Sequence, residues 1–98
     1  MINKEALIIA ELKIAVQAAL DGDWHKSHNI AQDYSDDVTE NHTANWIHAV
    51  LHKMEGDQAN SNYWYARTLG LESGAKKYEN FADAKLELQA ILNHLNSQ

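Results

Sequence analysis

The chain has 98 residues, a hydrophobic fraction of 45% and a formal charge of −6, which fits one globular domain and is too apolar for a disordered segment. The absence of cysteine excludes disulfides, thiolate metal sites and cysteine nucleophiles. Eight basic residues, Arg67 the only arginine, face fourteen acidic ones, and such a surface repels phosphate backbones, so nucleic acid is excluded as a partner.

No proline and four glycines argue for an all-α fold of about five helices in a single domain spanning residues 1–98. The first predicted helix runs from about Lys4 to Leu20. Glu11 and Lys13 interrupt its apolar stretch, which spoils both a signal-peptide core and a membrane span. A cytoplasmic location without membrane contact is therefore expected. The segment is otherwise apolar on most sides, the pattern of a helix central in its bundle or buried against a partner subunit.

Gly22 suits the left-handed position that ends a helix, and Asp23 suits the N-cap of the next. The second helix reaches about Tyr34, and 35–41 form a polar loop. A third helix covers about His42 to Met54, capped by Asn41 or Thr43. Glu55-Gly56-Asp57 repeats the earlier turn, and a fourth helix reaches about Leu69. Residues 70–77 form a linker. A last helix, about Asn80 to Leu95, carries Phe81, Ala84, Leu88, Ile91, Leu92 and Leu95 at helical spacing, with Asn80-Phe-Ala-Asp83 approximating a capping box.

The two Gly-Asp turns lie 34 residues apart without a gap, which is the tetratricopeptide period. Ala15 and Ala49 precede the glycines, and Ser27 and Ser61 follow them, at equal offsets. These small residues fall where the two helices of a hairpin approach closely. The pattern predicts two tetratricopeptide-like helical hairpins followed by a C-terminal helix.

The positions four and eight residues before each glycine are expected in the hairpin core. They hold Ala18 and Ile14 in the first repeat but His52 and His48 in the second. Two imidazoles at i, i+4 share one helix face, and a buried polar group without a partner costs roughly 1–3 kcal/mol. Stacking of consecutive hairpins places His28 and Gln32 opposite them, with Glu55 at the helix end. Three readings follow: a structural polar network, a ligand pocket, or a divalent metal site. No metal is assigned, although His28, His48, His52 and Glu55 are the residues that would hold one. The His-x3-His spacing lacks the His-Glu-x-x-His order of a zinc protease.

Aromatic residues surround this cluster. Trp24 opens the second helix, Trp46 is close in sequence to His48, and Asn62-Tyr63-Trp64-Tyr65-Ala66-Arg67 is the densest aromatic run. Tyr63 and Arg67 share a face, as do Asn60 and Trp64. Trp24, Trp64 and Tyr65 are expected in the core in a structural reading. In a functional one they form an aromatic wall with Asn60, Tyr63 and Arg67 as polar handles. Arg67 then contacts a carboxylate or phosphate, or else forms a surface ion pair.

The run Trp46-Ile-His-Ala-Val-Leu-His-Lys-Met-Glu-Gly-Asp-Gln-Ala-Asn-Ser-Asn-Tyr-Trp-Tyr65 resembles a family of short bacterial tetratricopeptide-like proteins of unassigned function. Asp23-Trp24-His25-Lys26-Ser27-His28 resembles the same family's Asp-Trp-x-x-Ala-His element, with Ser27 in place of alanine. The resemblance covers about half the chain. It implies that Trp24, His28, Trp46, His48, His52, Glu55, Asn60, Tyr63, Trp64 and Tyr65 belong together, while His25 and His42 fall outside. It implies no activity.

The resulting expectation is a binding or interaction module for a protein, peptide or small-molecule ligand, with its site on the second hairpin at Trp24, His28, Trp46, His48, His52, Glu55, Asn60, Tyr63, Trp64 and Arg67. The short groove of two repeats invites homodimerisation through the N-terminal and C-terminal helices. The alternative is a small enzyme using the His/Glu cluster, with or without a metal. No catalytic residue is assigned and no cofactor is expected.

Overall fold

A computed structural model describes residues 3–35, 41–68 and 81–98, with side chains from Ala84 onward in the last segment. Among the described residues the protein is all-α, with five helices: α1 Lys4–Leu20, α2 Trp24–Ser35, α3 His42–Met54, α4 Gln58–Tyr65 and α5 Phe81–Asn96. None of the helices is long and apolar enough to cross a membrane among the described residues.

The two turns are built alike. Gly22 and Gly56 have φ of 91° and 86°, the left-handed region that costs a side-chain-bearing residue strain. Gly22 N–H bonds to Ala19 O at 3.1 Å and Asp23 N–H to Ala18 O at 2.8 Å; Gly56 N–H bonds to Lys53 O at 3.0 Å and Asp57 N–H to His52 O at 2.9 Å. This is the Schellman pattern, used twice in the same register. Each aspartate then caps the next helix: Asp23 accepts from Lys26 N–H and Asp57 from Asn60 N–H, both at 3.2 Å. Asn41 caps α3, accepting from Ala44 N–H at 3.0 Å.

The fourth helix stops at Tyr65, short of the expected Leu69. Arg67 and Thr68 N–H turn back to the carbonyls of Trp64 and Tyr65, and the Thr68 hydroxyl donates to Tyr65 O at 2.7 Å. That local bond competes with helix continuation. Asn45 Nδ2 secures the turn by donating to Arg67 O at 3.0 Å. Leu69, the 70–77 linker and the Asn80 capping box lie outside the described residues.

The pairs α1–α2 and α3–α4 are hairpins, α2 packs on α3, and α5 lies across α1 and α3. The centre of the bundle is α3, ten of whose thirteen residues are buried, and not the more apolar α1. Helix α1 leaves Leu7 and Ile14 about half exposed. Ile14 therefore departs from its expected core position. Its register partner His48 is buried because α2 covers that face of α3, whereas no described helix precedes α1. The small residues behave as expected, with Ala15, Ala49, Ser27 and Ser61 fully buried.

One ionic group is enclosed where α5 meets α3. Lys53 Nζ pairs with the Glu87 carboxylate, their side chains 4% and 1% exposed. Tyr65 Oη donates to Glu87 at 2.7 Å, and Trp46 Nε1 donates to Glu87 Oε2 at 2.7 Å. A buried charge persists only when paired and hydrogen-bonded, and this carboxylate receives bonds from all three side chains.

Candidate functional site

Helices α2, α3 and α4 bring three imidazoles and two indoles into one cluster. His28 comes from α2, His48 and His52 from α3, Trp24 from the start of α2 and Trp64 from α4. The indole faces close the cluster from both sides. Trp24 stacks on His28 with ring centroids 4.7 Å apart and planes at 10°. Trp64 stacks on His48 at 4.1 Å and 13°. His48 and His52 stack at 4.8 Å, as their i, i+4 spacing dictates, and His28 meets both edge-on at 4.7 and 5.3 Å. Trp24 is anchored by its Nε1, which donates to Leu51 O at 2.7 Å.

The hydrogen bonds set the imidazole tautomers. The Ser35 hydroxyl donates to the Ala31 carbonyl, so its oxygen is free to accept from His48 Nδ1, 3.1 Å away. His52 Nδ1 lies 2.6 Å from the Glu55 carboxylate, which only accepts when ionised. In its neutral form each ring therefore carries the proton on Nδ1 and the lone pair on Nε2. Ser35 next to His48 has the residue types of a nucleophile–base pair, but its proton already goes to a carbonyl and its side chain is buried. Its hydroxyl proton is thus committed to the backbone, and its oxygen holds the edge of the ring.

Burial pushes the His48 imidazole down to about 3, helped by the neighbouring His28 and His52. His28 is also lowered, first by burial and then by His52. Removal from water disfavours the charged ring in both.

The remaining expected site residues divide. Glu55 is on the cluster through His52. Tyr63 is exposed and Arg67 half-buried at the rim, with the guanidinium 5.2 Å from the Tyr63 ring and 5.9 Å from the Trp64 ring, a cation–π arrangement. Asn60 is a capping partner, its amide donating to Asp57 Oδ2 at 2.8 Å. Trp46 points to the other side of α3, toward Glu87 and the edge of His94. Two residues along a helix is a rotation of about 200°, so Trp46 and His48 face apart. Gln32 is exposed, so of the two residues expected opposite His48 and His52 only His28 takes that place.

Ser35, Lys53 and Glu87 escape the sequence reading. Ser35 lies seven residues after His28 and so on the same face of α2, a signal hidden by assigning it to the loop. Glu87 interrupts the apolar stripe of Ala84, Leu88 and Ile91, which marks a buried charge awaiting a partner.

The cluster is a packed assembly of rings. Two cavities among the described residues lie elsewhere, between the start of α1 and the end of α5, lined by residues including Glu5, Ile9 and Gln98. No protein-family model, curated protein or solved structure matches the chain.

Proposed function

We propose that the protein is a binding module whose ligand site is the imidazole–indole cluster of the second hairpin. The observation that carries this reading is the convergence of His28, His48 and His52 with the Nδ1 atoms of two rings already held. A network built only for stability would give the remaining ring nitrogens protein donors or acceptors as their protonation requires. Among the described residues no hydrogen bond reaches the His28 ring or the Nε2 of the other two. Glu55, Tyr63 and Arg67 stand at the solvent edge, where a ligand would be recognised. The resemblance to short bacterial tetratricopeptide-like proteins supports the same reading, since stacked helical hairpins present binding faces. A second copy of the chain is a candidate partner for the half-exposed Leu7 and Ile14 on α1 and for Leu86 on α5; light scattering that finds only monomer at high concentration removes that part. The location proposed for the module is the cytoplasm.

A fragment screen by amide and indole NMR tests the site. Hits of anionic, aromatic and metal-like character are expected to shift the Trp24 and Trp64 indole N–H and the His28, His48 and His52 ring signals together. Hits scattered over other faces, with these signals unmoved, overturn the reading.

A further inference from the structure

We infer that His28, His48 and His52 form a three-imidazole site for a divalent transition-metal cation of the zinc, cobalt or nickel class, with Glu55 and Ser35 as positioning residues. This inference rests on the binding reading above and names its ligand.

One ring nitrogen from each of the three histidines lies within 4.8 Å of the others. A cation bound at about 2.0–2.1 Å to each nitrogen requires nitrogens about 3.3 Å apart in tetrahedral geometry. The closure needed is about 1.5 Å at most. His28 can supply it, since it belongs to a different helix from the other two, is half-buried and makes only ring contacts among the described residues.

The hydrogen bonds match what metal-ligating histidines use. A ligating imidazole usually donates its other N–H to a carboxylate, carbonyl or similar acceptor, which fixes the ring and aims the lone pair. In the neutral rings His52 donates Nδ1–H to Glu55 and His48 donates Nδ1–H to Ser35, which leaves Nε2 of each available as the ligand atom. Three neutral imidazoles without a thiolate suit borderline divalent cations and not magnesium or calcium, which take oxygen ligands. Three protein ligands leave a fourth position open.

A second group, His52, Glu55 and Asp57, is also compact, but its acceptors are in use. Glu55 receives His52, and Asp57 receives both the backbone and side-chain N–H of Asn60. Of this group only Glu55 touches the imidazole site, through His52.

The test uses the full chain without an affinity tag, stripped with a chelator and titrated with cobalt(II) by visible absorption and with zinc(II) by calorimetry. One cation per chain is expected, with a tetrahedral or five-coordinate cobalt spectrum. His28→Ala and His28→Gln should each weaken binding at least about 100-fold. Glu55→Gln should weaken it about 10–100-fold while keeping the same stoichiometry. His25→Ala, on the exposed side of Trp24, should leave affinity unchanged. Circular dichroism confirms that each variant is folded. Absence of stoichiometric binding, or unchanged affinity in both folded His28 variants, overturns the metal site. If fragments still shift Trp24 and Trp64 in that case, the pocket stands and only the cation falls; if neither metal nor fragment moves them, both fall.

Discussion

Trp64 lies flat on His48, ring centroids 4.1 Å apart, while Ser35 holds the opposite edge of the same imidazole at 3.1 Å. The ring is buried, with Ser35 as its one hydrogen-bond partner among the described residues and the His28 and His52 imidazoles beside it, so burial first and those two neighbours second resist its protonation. Its folded value, about 3, lies below the ordinary value of 6.5. Above pH 6.5 neither the folded nor the unfolded state binds a proton there. Between 6.5 and 3 the unfolded chain binds one and the folded chain does not, so stability falls as pH falls. From pH 7.5 to 4.5 His48 should account for roughly 2–3 kcal/mol of lost unfolding free energy. His28, also lowered, adds in the same direction. Urea denaturation at the two pH values measures the loss, and His48→Gln should flatten the dependence; an equally steep curve in that variant counts against this assignment.

Ser27 and Ser61 occupy equivalent positions in the two hairpins but differ in their bonding. Ser61 Oγ donates to Ala49 O at 2.8 Å. Ser27 Oγ is buried without a hydrogen-bond partner among the described residues. Ser27→Ala should therefore be neutral or stabilise by up to about 1–2 kcal/mol, and Ser61→Ala should destabilise by about 1 kcal/mol. Thermal or chemical melts of the two variants read the contrast, and the opposite order would sink it.

Lys53 and Glu87 invite a double-mutant cycle. Lys53→Met alone leaves a buried carboxylate short of its counter-charge and should cost about 3–5 kcal/mol. Adding Glu87→Leu should recover much of that loss, because the two buried charges then leave together. A double variant as unstable as the sum of the singles would show that the two side chains do not act as a pair.

At Gly22 and Gly56 a methyl group would meet nothing within 4 Å. The cost of Gly22→Ala or Gly56→Ala is therefore backbone strain alone, about 1–2 kcal/mol each. Equal losses at the two sites are expected, since the turns share their φ and hydrogen bonds. A loss several times larger at one site would mean that its turn does more than close a hairpin.

The all-α fold and both turns are legible in the chain because glycine's left-handed backbone and aspartate's capping carboxylate are local properties. The meeting of His28 with His48 and His52 is legible one level higher, from the repeat register that sets α2 against α3. What local pattern does not carry is facing. Trp46 is near His48 in sequence but on the opposite side of α3, and Ile14 shares His48's register but not its cover. The Lys53–Glu87 pair is hidden for a different reason: its partners are far apart in the chain, and only the docking of α5 joins them.

That pair also limits how α5 can sit. An aliphatic stripe such as Ala84, Leu88, Ile91 and Leu95 could slide one helical turn along α3 and still find apolar neighbours. Glu87 removes that freedom. Displaced by a turn, it would be desolvated away from Lys53, Tyr65 and Trp46, a state several kcal/mol less favourable than the native one. The carboxylate acts as an indexing pin: it adds little cohesion of its own, but it makes the alternative alignments of the last helix too costly to populate.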